Sequence, residues 1–326
     1  MEKAFCSKEF YGVNTRFADL INGIGCDGKQ VVKPEDLQEL DTQTGIWKMN
    51  DFQRGQNSKK AKGRDLLRKT AFGMNFAVVG IENQEEIDYA LPLRVLSYDV
   101  GEYEKQANVI RKELKTERQG LTPGEYLYGF AKDSHLHPVI TFVLYYGEKD
   151  WDGPRDLYGM IDFSGIPREL ANLVQNSRVH LVEVRKLKNT QVFRTDIRQV
   201  FDFIRYSTDR QALKELITRD DAYQAMEEDA YRMVALYAKS KQLLPRMEAY
   251  KKGGKVDMCK ALEEMIEEGR QEGLEKGIEK GIEKGLQALI ETCKEFGASQ
   301  ETTMQKIVDK YKVSAEDANI WMEKYW

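Results

Sequence analysis

The chain has 326 residues, 41% hydrophobic and 32% charged with only 7 prolines, which excludes a fibrous or compositionally disordered protein and leaves ample material for a core. No run approaches the roughly 18 to 20 apolar residues that a bilayer-spanning helix needs, and the amino terminus MEKAFCSKEFYGVN is charged throughout, without an apolar leader or cleavage site. The expectation is a cytoplasmic protein with no membrane partner. Its 4 cysteines and 3 histidines are dispersed, without a CxxC pair or a Cys/His cluster, which argues against structural zinc and a disulfide framework and leaves any catalysis to carboxylates.

In chain order, residues 1 to about 45 read as mostly helical with a loop. In RFADLINGI the residues Phe17, Leu20, Ile21 and Ile24 recur at helical spacing before Gly25 ends the run, and PEDLQEL is expected to be a short helix with proline at its first position. From about 62 to 206 strands alternate with helices. NFAVVGIENQ and RVHLVEVRKL read as strands, HPVITFVLYYG as a strand buried on both faces, and EIDYALPLRVLSYDVGEYEKQANVIRKEL as a long helix. That alternation indicates an α/β fold. Residues 195 to about 250 read as a helical layer on the core, and Lys251-Lys252-Gly253-Gly254-Lys255 as a break.

Beyond the break, Gly269, Gly273, Gly277, Gly281 and Gly285 recur every fourth residue, followed at the same interval by Leu274, Ile278, Ile282, Leu286 and Ile290. A period of four overshoots the helical 3.6, so each stripe drifts by about 40° per step around a helix. Five glycines cost roughly 4 to 5 kcal/mol relative to alanines, which makes the tract a marginal helix unless it finds a partner. It reads either as a homo-oligomer contact through the glycine stripe or as a solvated spacer. The last 28 residues read as two short helices capped by Ser299 and Ser314.

Net charge is −4, but the average conceals a basic segment, KKAKGRDLLRK, in which Lys59, Lys60, Lys62, Arg64, Arg68 and Lys69 surround a single acid, Asp65. Downstream, Glu82-Asn83-Gln84 ends an apolar strand, so Glu82 and Gln84 share one face. If the segment at Asp65 is the neighbouring strand, its carboxylate and that of Glu82 converge on a hard oxygen site suited to Mg²⁺ or Mn²⁺. Beside it the basic residues would hold a phosphate backbone. From spacing alone a solvated strand end is the favoured reading of the pattern.

GRDLLRK, FAVVGIENQEEIDYALPLRVLSYDVGEYEKQ, HPVITFVLYYGEKDWDGPRDL, RVHLVEVRKL and FDFIRYSTD resemble, in that order, successive blocks of the recombination-promoting nuclease and transposase-like (Rpn) family of the PD-(D/E)XK nuclease superfamily. RFADLINGIGCDGKQVVKPEDLQELD resembles its amino-terminal block, and the resemblance spans about residues 10 to 245. It implies a restriction-endonuclease-like α/β core with a mixed central sheet flanked by helices, plus a helical C-terminal extension. The corresponding partition is 1–210 for the nuclease-like domain, 211–252 for a packed helical layer, 253–298 for the glycine-repeat segment and 299–326 for a helical hairpin. It further implies a divalent-metal-dependent DNA endonuclease of low sequence specificity, associated with recombination or mobile DNA, with Asp65 and Glu82 as ligands of Mg²⁺ (or Mn²⁺) and Gln84 completing the catalytic set. Glutamine is no base, yet it can orient the attacking water. Arg94 and Tyr98, four apart on one helix face, match a recurrent Arg and Tyr and join Lys60, Lys62, Arg64, Arg68 and Lys69 as DNA contacts; their alternative is a salt bridge and a half-buried aromatic. One departure is Asn14, where many relatives carry an acid in the first helix; asparagine still offers a carbonyl oxygen to the metal but no charge, so either metal affinity is reduced or Glu9 or Asp19 serves instead. Glu183 is a marginal further acid. Two alternatives stay open: a catalytically silent DNA-binding or interaction module on the nuclease fold, and a strand-transferring transposase.

Overall fold

The structure is a computed structural model in which residues 2–40, 66–69, 75–81, 87–116 and 120–326 are described. The chain divides into two units, Met1–Cys259 and Lys260–Trp326.

The first unit is α/β. Its five-stranded sheet has the order β1-β2-β3-β4-β5, from Gln38–Glu39, Leu66–Lys69, Asn75–Ile81, Val139–Tyr145 and His180–Glu183. The first three strands form an antiparallel meander, whereas β4 joins β3, and β5 joins β4, in parallel. The parallel step from β3 to β4 demands a crossover, and α3, Leu91–Thr116, lies in that connection. PEDLQEL departs from the expected helix: it makes a single 3₁₀ turn, Pro34–Asp36, and then Gln38 and Glu39 pair with Lys69 and Arg68 as the sheet edge. Two ladder pairs outweigh the weak helical preference of so short a segment.

The alternation of β4 shows why its apolar run is continuous. Phe142 reaches Gly25 of α2 (Asn14–Gly25), while Val143 and Tyr145 pack with Leu91, Val95 and Tyr98 of α3 and with Trp151. Both faces are therefore covered by helix, and successive side chains of either sense are buried. Beneath the α2 face lies a helical layer of α1 (Glu2–Gly12), α6 (Ile197–Tyr206), α7 (Arg210–Arg219) and α8 (Glu228–Tyr237), in which Phe10, Phe17, Phe201, Phe203, Tyr231 and Tyr237 are buried. Two short helices, α4 (Pro123–Tyr128) and α5 (Arg168–Ala171), lie in the connections.

Two arginines tie that layer together. Arg16 of α2 donates Nε and Nη2 to Asp196 (both 2.7 Å), pairs with Asp229 in the first turn of α8, and stacks 4.3 Å over Phe10. Arg185 donates to the carbonyls of Tyr146, Ile204 and Tyr237, satisfying acceptors left over at the ends of α6 and α8. The break at Lys251 is a hairpin: β7 (Lys251–Lys252) and β8 (Lys255–Val256) flank Gly253 and Gly254 at φ 61° and 81°, the left-handed pair that a two-residue turn requires, and β8 also pairs with β6 (Met226–Glu227).

In the second unit, α9 runs as one helix from Met258 to Glu295. Leu286 and Ile290 of α9 form an apolar cluster with Ile307 of α10 (Gln300–Tyr311) and Ala318 and Met322 of α11 (Ala315–Tyr325). Ser299 and Ser314 cap these helices, accepting from the amides of Thr302 (3.2 Å) and Asp317 (3.0 Å). Among the described residues no helix is long and apolar enough to cross a membrane.

Candidate functional site

Strand register defines one edge of the sheet. Leu66, where β2 begins, lies opposite Val78, three residues before the end of β3 at Ile81. Ile81 lies beside Tyr145, and Tyr145 beside Glu183, so the carboxyl ends of β3, β4 and β5 form one row. The connections leaving such an edge are where open α/β sheets place ligands. Asp65 and Glu82 are covalent neighbours of Leu66 and Ile81, but they, Gln84, Lys59, Lys60, Lys62 and Arg64 lie outside the described residues.

The other residues expected at the site are described. Arg68 does not fit a phosphate contact. It is 3% exposed; its Nε donates to Asn14 Oδ1 at 3.3 Å, its Nη groups to the Leu67 and Gly12 carbonyls, and it pairs with Glu39. A guanidinium so engaged would have to forfeit all these bonds to meet DNA. Lys69 sits half-buried opposite Gln38. Asn14 is likewise committed: its amide donates to the carbonyls of Pro34 and Leu37, and its own carbonyl accepts from cationic Arg68, which corrects the expectation of a spare oxygen for a metal ion. Asp19, its suggested substitute, accepts from the amides of Arg194 and Thr195 and from the Thr195 hydroxyl at 2.6 to 3.0 Å. Glu9 is exposed at the rim of a cleft on the helical layer, away from the sheet edge just defined.

Glu183 stands at the edge but is fully partnered. Its side chain is 13% exposed, pairs with Lys186 at 2.8 Å and with Arg155, and accepts from the Trp151 amide at 3.3 Å. Burial pushes its carboxyl up, and the Lys186, Arg155 and Trp151 hydrogen bonds outweigh that and hold it below the ordinary glutamate range. Lys186 also reaches Asp150 at 2.9 Å. This carboxylate therefore anchors the 150–155 turn to β5. Sequence reading missed the partnership because Arg155 lies 28 residues away; the basic Lys186, three residues after Glu183, was the available signal.

Arg94 and Tyr98 share the face of α3 that meets the sheet. Tyr98 is buried beside Leu91, Val95 and Trp151, so its ring is core. Arg94 pairs with Asp88 at 2.7 Å, and its Nε is a buried donor without an acceptor among the described residues. Nearby, Tyr89 donates to Asp152 at 3.0 Å, which ties the start of the crossover to the 150–155 turn. Among the described residues no cluster of three metal-ligating side chains occurs.

Outside this edge, a cleft of about 870 Å³ in the helical layer is lined by Glu9, Arg16, Asp196, Glu228, Asp229 and Arg232, among others. Its floor is the Arg16 clamp already described. No protein-family model, curated protein or solved structure matches the chain.

Proposed function

We propose that the protein is a divalent-metal-dependent DNA endonuclease with a PD-(D/E)XK-like core, whose site lies at the sheet edge where β2 begins and β3 ends. What supports the reading is the antiparallel pairing of β2 with β3, which sets Leu66, bonded to Asp65, opposite Val78, three residues before the Ile81 that precedes Glu82. The mixed sheet flanked by helices is the architecture that the resemblance to the Rpn family implies. Two carboxylates are a hard oxygen donor set, which fits Mg²⁺ or Mn²⁺. Such an ion, when bound, supplies a polarised phosphoryl oxygen and a more acidic water. In this reading Asp65 and Glu82 hold it, Gln84 orients the water, and Lys60, Lys62 and Arg64 contact the phosphate backbone without reading bases. Arg94, paired with Asp88 and with an Nε donor that has no acceptor among the described residues, adds a further phosphate contact.

Plasmid nicking with Mg²⁺ tests the reading. Wild type is expected to convert supercoiled DNA to nicked or linear forms, with activity lost in EDTA and in Asp65→Ala and Glu82→Ala. Equal cleavage by all three proteins refutes it.

A second reading, a catalytically silent DNA-binding module, is favoured by one observation. Asn14, Asp19 and Glu183 are all taken up by protein donors, which leaves Asp65 and Glu82 without a described third ligand. It predicts salt-sensitive DNA binding with no Mg²⁺ uptake in calorimetry.

A further inference from the structure

The glycine-repeat part of α9 carries a surface that nothing among the described residues explains. A Cβ built at Gly269, Gly273, Gly277 or Gly281 meets nothing within 4 Å among the described residues, whereas one at Gly285 would strike the Tyr311 hydroxyl. Packing among the described residues thus accounts for the last glycine and not for the other four. Alanine would fit at each of them and would favour the helix. Alongside, Leu274, Ile278 and Ile282 are 58%, 54% and 41% exposed, while Leu286 and Ile290, next in the same stripe, are buried in the second unit's apolar cluster. An apolar row and a glycine row therefore run together along an open helix face.

The charges specify what would cover it. From Gly273 to Lys284 the sequence repeats as glycine, apolar residue, Glu, Lys. At about 100° per residue, the order around the helix is Lys, Gly, apolar, Glu, so the glycine and apolar rows are bordered by lysine on one side and glutamate on the other. Two such helices paired in parallel about a twofold axis set the lysine border of each against the glutamate border of its partner. Antiparallel pairing sets like charges together. The intrahelical pairs Arg270 with Glu267 and Lys276 with Glu272 are exposed and exchangeable.

We propose that α9 is a self-association element: a second copy of this chain docks in parallel on the Gly269 to Ile282 face, glycines permitting close approach of the two backbones and Leu274, Ile278 and Ile282 filling the seam. Because the stripes advance by about 40° per repeat, the pair wraps right-handedly. The inference does not rest on the nuclease reading, and loss of nuclease activity leaves it untouched.

The test uses the full chain. Light scattering of wild type is expected to give twice the 37.7 kDa chain mass. Gly273→Ala/Gly277→Ala is expected to raise helicity in circular dichroism while weakening the dimer by at least about tenfold. Ile278→Glu, on the exposed face, is expected to give monomer with unchanged helicity. Orientation is read from Leu274→Cys and Ile282→Cys separately, against the wild-type background of native thiols. In a parallel pair each seam residue faces its own copy, so both variants cross-link on mild oxidation. A monomeric wild type, a glycine-to-alanine variant that dimerises as well as wild type, or cross-linking at one position only would overturn the proposal.

Discussion

Replacing Arg16 with Leu removes the cation that joins four helices of the first unit. The guanidinium, 9% exposed, bonds both oxygens of Asp196 at the start of α6, pairs with Asp229 at the start of α8, and donates to the Phe10 carbonyl of α1. Burial lowers the charge affinity of such a group, and the Asp196 and Asp229 hydrogen bonds outweigh that, so its pKa lies above even the usual arginine range. Leucine preserves much of the apolar stem but leaves two carboxylates facing one another. Deleting one member of a buried ion pair costs about 3 to 5 kcal/mol. Because the aspartates keep 25% and 28% side-chain exposure, water relieves part of this, and about 2 to 3 kcal/mol remains. For a unit of this size that corresponds to a fall in Tm of roughly 5 to 10 °C. Calorimetry of Arg16→Leu, Asp229→Asn and the double variant reads both the loss and the coupling, expected above about 1 kcal/mol. A fall below about 2 °C, or additivity of the two substitutions within about 0.3 kcal/mol, would refute the clamp as a source of stability.

Three further outcomes follow from local geometry. Gly23→Ala would drive a methyl group into the buried Phe193 ring, itself edge-on to Phe201 at 5.3 Å, so it is expected to cost about 1 to 3 kcal/mol in urea unfolding; a neutral substitution would show that the ring yields freely. In the capping box of α4, the amides of Lys132 and Thr122 and the Thr122 hydroxyl hold the Glu125 carboxyl at about 2. A depressed folded-state pKa stabilises above the unfolded value, so order in residues 122–132 should fade between about pH 4.5 and 2 in a carboxyl NMR titration, and a midpoint near 4.5 would contradict the box. Burial, followed by the charge of Glu9, pushes the Cys6 thiol up to about 12, so it should resist alkylation at pH 8 until the protein unfolds. Rapid modification of folded protein, located at Cys6 by mass spectrometry, would count against that burial.

The elements legible in the sequence are those decided by near neighbours. Ser299 and Ser314 cap their helices because a side-chain oxygen two or three residues from a free amide meets it in any fold. The apolar run of β4 and the spacing of Phe17, Leu20 and Ile21 declare buried faces for the same reason, since a periodicity of two or 3.6 aligns side chains before any partner is chosen. What the tertiary structure alone decided is where each charge goes. Arg68 belongs to a basic run that reads as solvated, yet Asn14, Gly12 and Glu39 converge on it from segments up to 56 residues away and bury it. Glu183 reads as an available acid until Arg155 and Lys186 neutralise it, and PEDLQEL reads as helix until the exposed edge of β2 draws Gln38 and Glu39 into a ladder. Local pattern fixes which face of an element is apolar. The partners of a polar group are set by which elements that apolar burial brings together, and this depends on the whole chain at once.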